Sequence, residues 1–246
     1  MDRMIYTALT GMDAAMTRQR AIASNLANAN TPGFRAETFA TMPLHLQAES
    51  FDVRGYAQGA VRGADLSQGS VNRTGRGLDI AVNGAALIAF QSPAGDEVYS
   101  RRGDMSVDTT GRLVNGEGLQ VLGENGPVTV PPGWEISFGQ DGTVFAADPA
   151  ATDAPADEVA RIKLASPDGS AVVKDLDNQL RVPGGGVLPG DPTAQIITGA
   201  LEQSNVDSAD TLVQMIEAQR SFEQRVKIIA TAEQLDQSSA GLMSLR

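Results

Sequence analysis

At each end of the chain, apolar residues recur at a spacing that only an α-helix brings to one face, and everything else lies between these two stripes. From the amino terminus the small or apolar positions run Ile5, Ala8, Met12, Ala15, Ile22, Leu26 and Ala29, with Gln19 at the skipped place. Steps of three and four make a heptad seam. Gly11 is the only helix-weakening residue before Asn30. Asn28 and Asn30 tolerate left-handed backbone, and Pro32-Gly33 cannot continue a helix. At a rise of 1.5 Å per residue the predicted helix is about 37 to 40 Å long. Near the other end, Leu212, Met215, Gln219, Phe222, Val226 and Ile229 step in the same way, again with a Gln in the seam. A second stripe of Ile228, Leu235 and Leu242 lies on a neighbouring face. Asn205, Asp207 or Ser208 can cap this helix, which runs to about Leu242. A single apolar stripe does not hold a helix in water, so each helix needs a partner. A polar seam residue costs stability and fixes register, which suits self-matching helices. Both stripes read as assembly surfaces.

The middle, from about residue 37 to 200, is β-like. Short apolar or alternating runs, from Leu78–Val82 to Ala171–Val173, are separated by Asn83-Gly84, Asn115-Gly116, Asn125-Gly126, Asp141-Gly142 and Asp168-Gly169. Such dipeptides are the strongest local hairpin signal, and a type I′ turn would place both residues at positive φ. No long helical pattern intervenes, which excludes parallel βαβ units. The fold class is α+β: an antiparallel, mostly-β central domain flanked by long terminal helices. The expected divisions are residues 1–36 for the first helix and its turn, 37–76 for an extended connector, 77–198 for the β-rich domain and 199–246 for the last helix. Residues 147–157 and 183–193, rich in Ala, Asp, Pro and Gly, read as surface loops.

Chemistry is sparse. Of 246 residues none is Cys and only His45 is His, which removes disulfides, thiolate metal sites and any mechanism needing two imidazoles. A net charge of −11 argues against a general affinity for nucleic acid or anionic lipid. No stretch approaches the roughly 20 apolar residues that span a bilayer, and the first residues lack the pattern of a Sec-type signal. There is no Gly-x-Ser-x-Gly, Gly-x-Gly-x-x-Gly or P-loop, and Gly184-Gly185-Gly186 is followed by prolines where a phosphate-binding helix would start. Asp207 and Asp210 read as capping charges rather than an acid–base pair. Arg102-Gly103-Asp104 is the tripeptide that some adhesion receptors bind, with a strand turn as its plain reading. No cofactor, metal or small-molecule substrate is expected, and the chain reads as non-enzymatic. A carboxylate hydrolase and an adhesin are the alternatives from other classes.

Ala23-Ser24-Asn25-Leu26-Ala27-Asn28-Ala29-Asn30-Thr31-Pro32-Gly33-Phe34-Arg35 resembles the amino-terminal signature of the bacterial flagellar rod and hook family. Three further stretches agree. Gly77–Gly84 resembles the family's Leu-Asp-hydrophobic-Ala-hydrophobic-x-Gly strand, and Tyr99–Gly103 with Gly111–Val114 and Val121–Gly123 resembles its next block. Gly199-Ala200-Leu201-Glu202-Gln203-Ser204-Asn205-Val206-Asp207, followed by Met215-Ile216 and Gln219–Glu223, resembles its carboxy-terminal signature. The opening Met-Asp-x-x-Ile-Tyr-Thr-Ala and the modest length point to the proximal-rod branch, with the distal-rod and hook branches as the alternative. The resemblance implies a non-enzymatic axial subunit of the basal body, stacked helically into a torque-transmitting rod that crosses the periplasm. It implies export by the flagellar type III apparatus without a cleaved signal. Its partners would be copies of itself, adjacent rod proteins and that export apparatus. It also implies that the terminal helices form an inner coiled-coil layer, with Asn28–Phe34 as the corner where the chain turns outward and Phe34 anchoring that turn in a neighbouring cleft. The expected assembly residues are Ile5, Ala8, Met12, Ala15, Ile22, Leu26, Asn28, Asn30, Gly33, Phe34, Leu212, Met215, Gln219, Phe222, Val226 and Ile229.

Overall fold

The computed structural model describes residues 2–47, 52–151, 155–175 and 177–244. The chain forms two compact units. Met1–Ala27, Glu37–Gly63 and Asp207–Arg246 make a helical unit, and Asn28–Ala36 with Ala64–Val206 make a β unit.

In the helical unit, α1 (Asp2–Ala27) packs on α2 (Ser208–Ser244). The Asp207 carboxylate accepts from the amides of Ala209 (2.8 Å) and Asp210 (3.1 Å) and so caps α2. The helices meet through small residues. On α1 the buried positions are Gly11, Ala14, Ala21 and Ile22, and on α2 they are Thr211 and Ala218. A Cβ on Gly11 would run into the Arg225 guanidinium. Gly11, Ala14 and Ala21 on α1 and Thr211 and Ala218 on α2 each lie one residue before an expected seam position, a rotation of roughly 100°, while Ile22 is a seam residue that is itself buried. Small side chains let two backbones approach closely, and that wins over the larger apolar positions beside them. Leu212, Val213, Ile216, Val226 and Ile228 on α2 and Leu9 and Met16 on α1 therefore remain exposed.

The segment expected as a connector is largely a two-stranded ribbon of Glu37–Gln47 and Asp52–Ala64. Asn25 ties α1 to it: its side-chain oxygen accepts from the Glu37 amide (2.8 Å) and its side-chain nitrogen donates to the Glu37 carbonyl (3.1 Å). The ribbon's sequence alternates weakly, so the period-2 signal that marks other strands is missing.

In the β unit every strand pairing among the described residues is antiparallel. The main sheet runs 173–174, 180–181, 97–100, 87–91, 120–123, 113–114 and 106–107, and 164–165 also pairs with 87–91. Leu87–Gln91 is central, and its side chains divide by period 2. Ile88 and Phe90 enter a large core with Ile80, Val82, Met105, Leu113, Val121, Val144 and Ile162. Leu87 and Ala89 enter a smaller one with Tyr99, Leu180 and Leu188. The strands 195–198 and 200–202 return from the far end of the unit to pair with 80–83 and 71–73.

The expected turn chemistry needs one correction. Asn178 is the only non-glycine with positive φ among the described residues, so none of Asn83, Asn115, Asn125, Asp141 or Asp168 adopts the left-handed backbone of a type I′ turn. Side-chain oxygens shape several of these turns instead. Asn115 accepts from the amides of Glu117 and Leu119, and Asp141 accepts from the amide and hydroxyl of Thr143. Asn83-Gly84 and Asp168-Gly169 also turn the chain between strands that do not pair with each other.

These turns set an acid limit. The Asp108 carboxyl is held below its ordinary value, first by the Thr110 hydroxyl; Asp141 is held down by Thr143, Asp177 by Arg181 and Asp191 by Thr193. A depressed carboxyl contributes stability above its unfolded value, here near 3.8, and that contribution is lost as pH falls through the lower folded values. The urea midpoint of the protein is expected to hold from neutral pH down to that value and fall below it. Thr143→Val is expected to make the fall shallower, as read by urea melts across the acid range.

Candidate functional site

The β unit holds a buried ionic cluster where the two terminal signatures meet. Glu202, on the closing strand Ala200–Glu202, is 1% exposed and sits between two guanidiniums that are equally buried. Arg35 Nη2 lies 2.7 Å from one of its oxygens and Arg101 Nη1 lies 2.9 Å from the other. The first oxygen also accepts from the Gly69 amide (2.8 Å). Arg101 donates further to the carbonyls of Val82 (2.9 Å) and Gly84, holding the Asn83-Gly84 turn. Arg35 donates to the Ser67 carbonyl (2.7 Å). Burial pushes the Arg101 pKa down to about 10 against the pull of Glu202, so the group stays charged at neutral pH. The cluster carries two positive charges and one negative, and the Nε atoms of both arginines lack acceptors. Removing one partner from such a buried set leaves uncompensated charge and costs about 3–5 kcal/mol.

The corner itself is fixed by neighbouring groups. Gly33, at φ +69°, donates its amide to the Glu202 carbonyl (2.8 Å), and a Cβ there would overlap the backbone of Arg101 and Arg102. Phe34 is 5% exposed, with the Lys174 ammonium 3.3 Å from its ring centroid. Lys174 also donates to the Arg35 carbonyl (2.8 Å). Asn205 accepts from the Ala36 amide (2.7 Å) and donates to the carbonyls of Asp65 (2.9 Å) and Ser67 (3.1 Å).

The expected assembly residues separate under this geometry. Gly33 and Phe34 are buried within the chain itself, so the cleft that takes Phe34 belongs to the same molecule. Asn28 is half-buried and accepts from the Thr31 hydroxyl, while Asn30 is exposed. On α1, Ile22 is buried and Met12, Ala15 and Leu26 are half-buried; the side chains of Ile5 and Ala8 lie outside the described residues. On α2, Met215, Phe222 and Ile229 are half-buried, and Leu212, Gln219 and Val226 are exposed. The side chains of His45, Leu235 and Leu242 are likewise outside the described residues. Glu202, Arg35 and Arg101 stand in the family-like stretches but nothing in their spacing gave them a role, and Asn205, expected as a candidate helix cap, bonds Ala36, Asp65 and Ser67 while Asp207 caps α2. The only local hint is a carboxylate in the otherwise apolar strand Ala200-Leu201-Glu202.

The sites of the alternative readings are occupied by internal pairing. Arg102 makes a two-pronged ion pair with Asp104 (2.7 and 2.9 Å) and another with Glu117 (3.1 Å), which consumes both charged ends of the Arg-Gly-Asp tripeptide. An open cleft of about 290 Å³ is lined by Glu124, Asp141, Arg161, Lys163 and Asp191. Arg161 there donates to the Asp141 carbonyl, and Lys163 pairs with Glu97 at 2.6 Å. Among the described residues no group of His, Asp or Glu could hold a metal ion, and no helix is long and apolar enough to cross a membrane.

Comparison with known proteins places this geometry. Residues 5–35 match the family model described as flagella basal body rod protein. Residues 81–146 match the flagellar hook protein FlgE/F/G D1 domain, and 197–242 match the flagellar basal body rod FlgEFG protein C-terminal model. The chain is 38% identical over 242 residues to the flagellar basal-body rod protein FlgF of Escherichia coli strain K12, covering 95% of each. It is 36% identical over 254 residues to FlgF of Salmonella typhimurium, covering the whole of both chains. The chain belongs to the flagellar basal-body rod protein family. The rod protein FlgG of Bacillus subtilis is 31% identical over 98% of each chain. Two of the matched segments end or begin in the ionic cluster: the first closes on Arg35, and the last contains Glu202 and Asn205.

Gly33→Ala is expected to lower stability by about 2 kcal/mol or more, because it adds left-handed backbone strain to an overlap with fixed backbone. Denaturant melts followed by tryptophan fluorescence are expected to show the lower midpoint.

Proposed function

We propose that the chain is a structural subunit of the proximal part of the basal-body rod, where copies of it and neighbouring rod proteins stack helically into the shaft that transmits torque. In this reading α1 and α2 lie in an inner coiled-coil layer of the assembled rod, and the chain acts without catalysis or cofactor. It reaches the rod across the periplasm through the flagellar type III apparatus. The observation that carries the reading is the apolar surface left over after the two helices pack. Leu212 (49% exposed), Ile216 (52%), Val226 (44%) and Ile228 (53%) line α2 and have no cover within the described chain. Repeated head-to-tail contacts through such a surface extend without closing, which is how an open helical tube is built. The proximal position is supported by the higher identity to FlgF of Escherichia coli and of Salmonella typhimurium (38% and 36%) than to FlgG of Bacillus subtilis (31%).

Complementation tests both levels. The chain is expected to restore swimming to an Escherichia coli strain lacking FlgF and not to one lacking FlgG; the reverse would move it to the distal rod. Leu212→Asp or Phe222→Asp is expected to abolish swimming, with the variant absent from isolated basal bodies. His45→Ala and Asp207→Asn are expected to swim normally, the latter because Asn keeps the cap of α2.

A further inference from the structure

The helical unit holds a recess whose charge nothing else in that unit balances. It measures about 80 Å³ and is lined by Gly11, Arg18, Phe39, Ala218, Ser221 and Arg225 among others, all of them in the same compact unit. The small residues through which the helices meet also make this space. With no Cβ on Gly11, the Arg225 guanidinium lies across α1. Arg225 Nε is buried there and meets no acceptor. Among the described residues, Arg18, Arg225 and the Ser221 hydroxyl have no hydrogen-bond or ion-pair partner, and no acid lines the recess. A buried charged donor left without an acceptor is costly. The group that matches a guanidinium in plane and in charge is a carboxylate.

α2 carries a carboxylate with the opposite deficit. Glu217 is exposed and, among the described residues, unpaired, although Arg220 stands one turn further on. Its neighbours Val213 and Ile216 are 55% and 52% exposed. A contact that covers them therefore takes Glu217 out of water as well, where it needs a cation. The other exposed acids on the described helices fit less well. Asp207 caps α2, and Asp210 and Glu223 accept from Gln214 (2.6 Å) and Gln219 (3.3 Å). Asp13 is unpaired but one methylene shorter, which suits a recess less than Glu217 does.

We propose that the Arg18–Arg225 recess of one copy receives the Glu217 carboxylate of a second copy. The proposal rests on the stacking of copies put forward above and deepens it: the uncovered apolar face gives the contact its area, and the ion pair gives it a register.

The test uses full-length variants in the Escherichia coli strain lacking FlgF. Arg225→Glu and Glu217→Arg are each expected to cut the fraction of swimming cells by about ten-fold or more, and the two reversals together to restore it. Single variants that swim normally, or a double variant no better than the singles, overturn the pairing. Rescue of Arg225→Glu by Asp13→Arg rather than by Glu217→Arg overturns the choice of Glu217. If Arg225→Glu does not fold, Arg18→Glu takes its place. The purified single variants are expected to keep the urea midpoint of the unsubstituted protein; a midpoint lowered in both and recovered in the double variant places the pair within one chain and overturns the proposal. Because the chain has no Cys, a short bis-maleimide supplies a second reading. Cells making one copy with Glu217→Cys and another with Arg18→Cys are expected to give a product of two chains, and cells making either copy alone are not. A product holding a single copy, or no product, overturns the proposal. Failure of the unsubstituted chain to restore swimming sinks the rod assignment instead, and the same crosslink between concentrated purified copies then decides the recess.

Discussion

A single buried carboxylate organises one corner of the β unit. Glu202 lies between Arg35 and Arg101, and each of the three comes from a different stretch: the first corner, the segment just after the strand Glu97–Ser100 and the closing strand. None of these stretches can settle without the others, because any one charge left alone in that interior is severely destabilising. This explains why the signatures at the two ends of the chain have the residues they do. Gly33 is needed where the backbone passes against Arg101 and Arg102, Phe34 sits under Lys174, and Asn205 satisfies backbone groups that no strand reaches.

The β unit around this cluster is built for permanence. Its central strand, Leu87–Gln91, has no solvent-facing side, since alternate residues feed two separate cores. The last strands, 195–198 and 200–202, return to pair with 80–83 and 71–73, so the fold closes only when residues more than a hundred positions apart meet. Long-range closure of this kind is slow but cooperative, and it places Glu202 at the final step of the topology.

The helical unit follows a different principle. Its two helices bury Gly11, Ala14, Ala21, Ile22, Thr211 and Ala218 and leave Leu212, Val213, Ile216, Val226 and Ile228 exposed. A helix pair that existed only to hold itself together would bury Leu212 and Ile216 first, as their transfer from water is worth more than that of alanine. The larger apolar side chains of α2 are thus without cover among the described residues.

Sequence alone was enough for the α+β class, both helices, the antiparallel character of the middle and most strand positions, because those follow from local period and local turn residues. It also contained the family, through short signatures in the right order. Tertiary structure decided what spacing cannot express. Apart from Ile22, the buried positions between the helices stand one residue before the stripes read by periodicity, since a heptad pattern marks an apolar stripe but not which face meets which partner. Residues 37–64 pair as a ribbon although their alternation is weak. The Asn-Gly and Asp-Gly turns keep their polar residue out of the left-handed region, and Asn115 and Asp141 use their side chains instead. Above all, Arg35, Arg101 and Glu202 lie 66 and 101 residues apart, and no local pattern can announce that three charges will meet in a place without water. Local periodicity is written in neighbouring residues; a buried ion cluster exists only once the chain has closed.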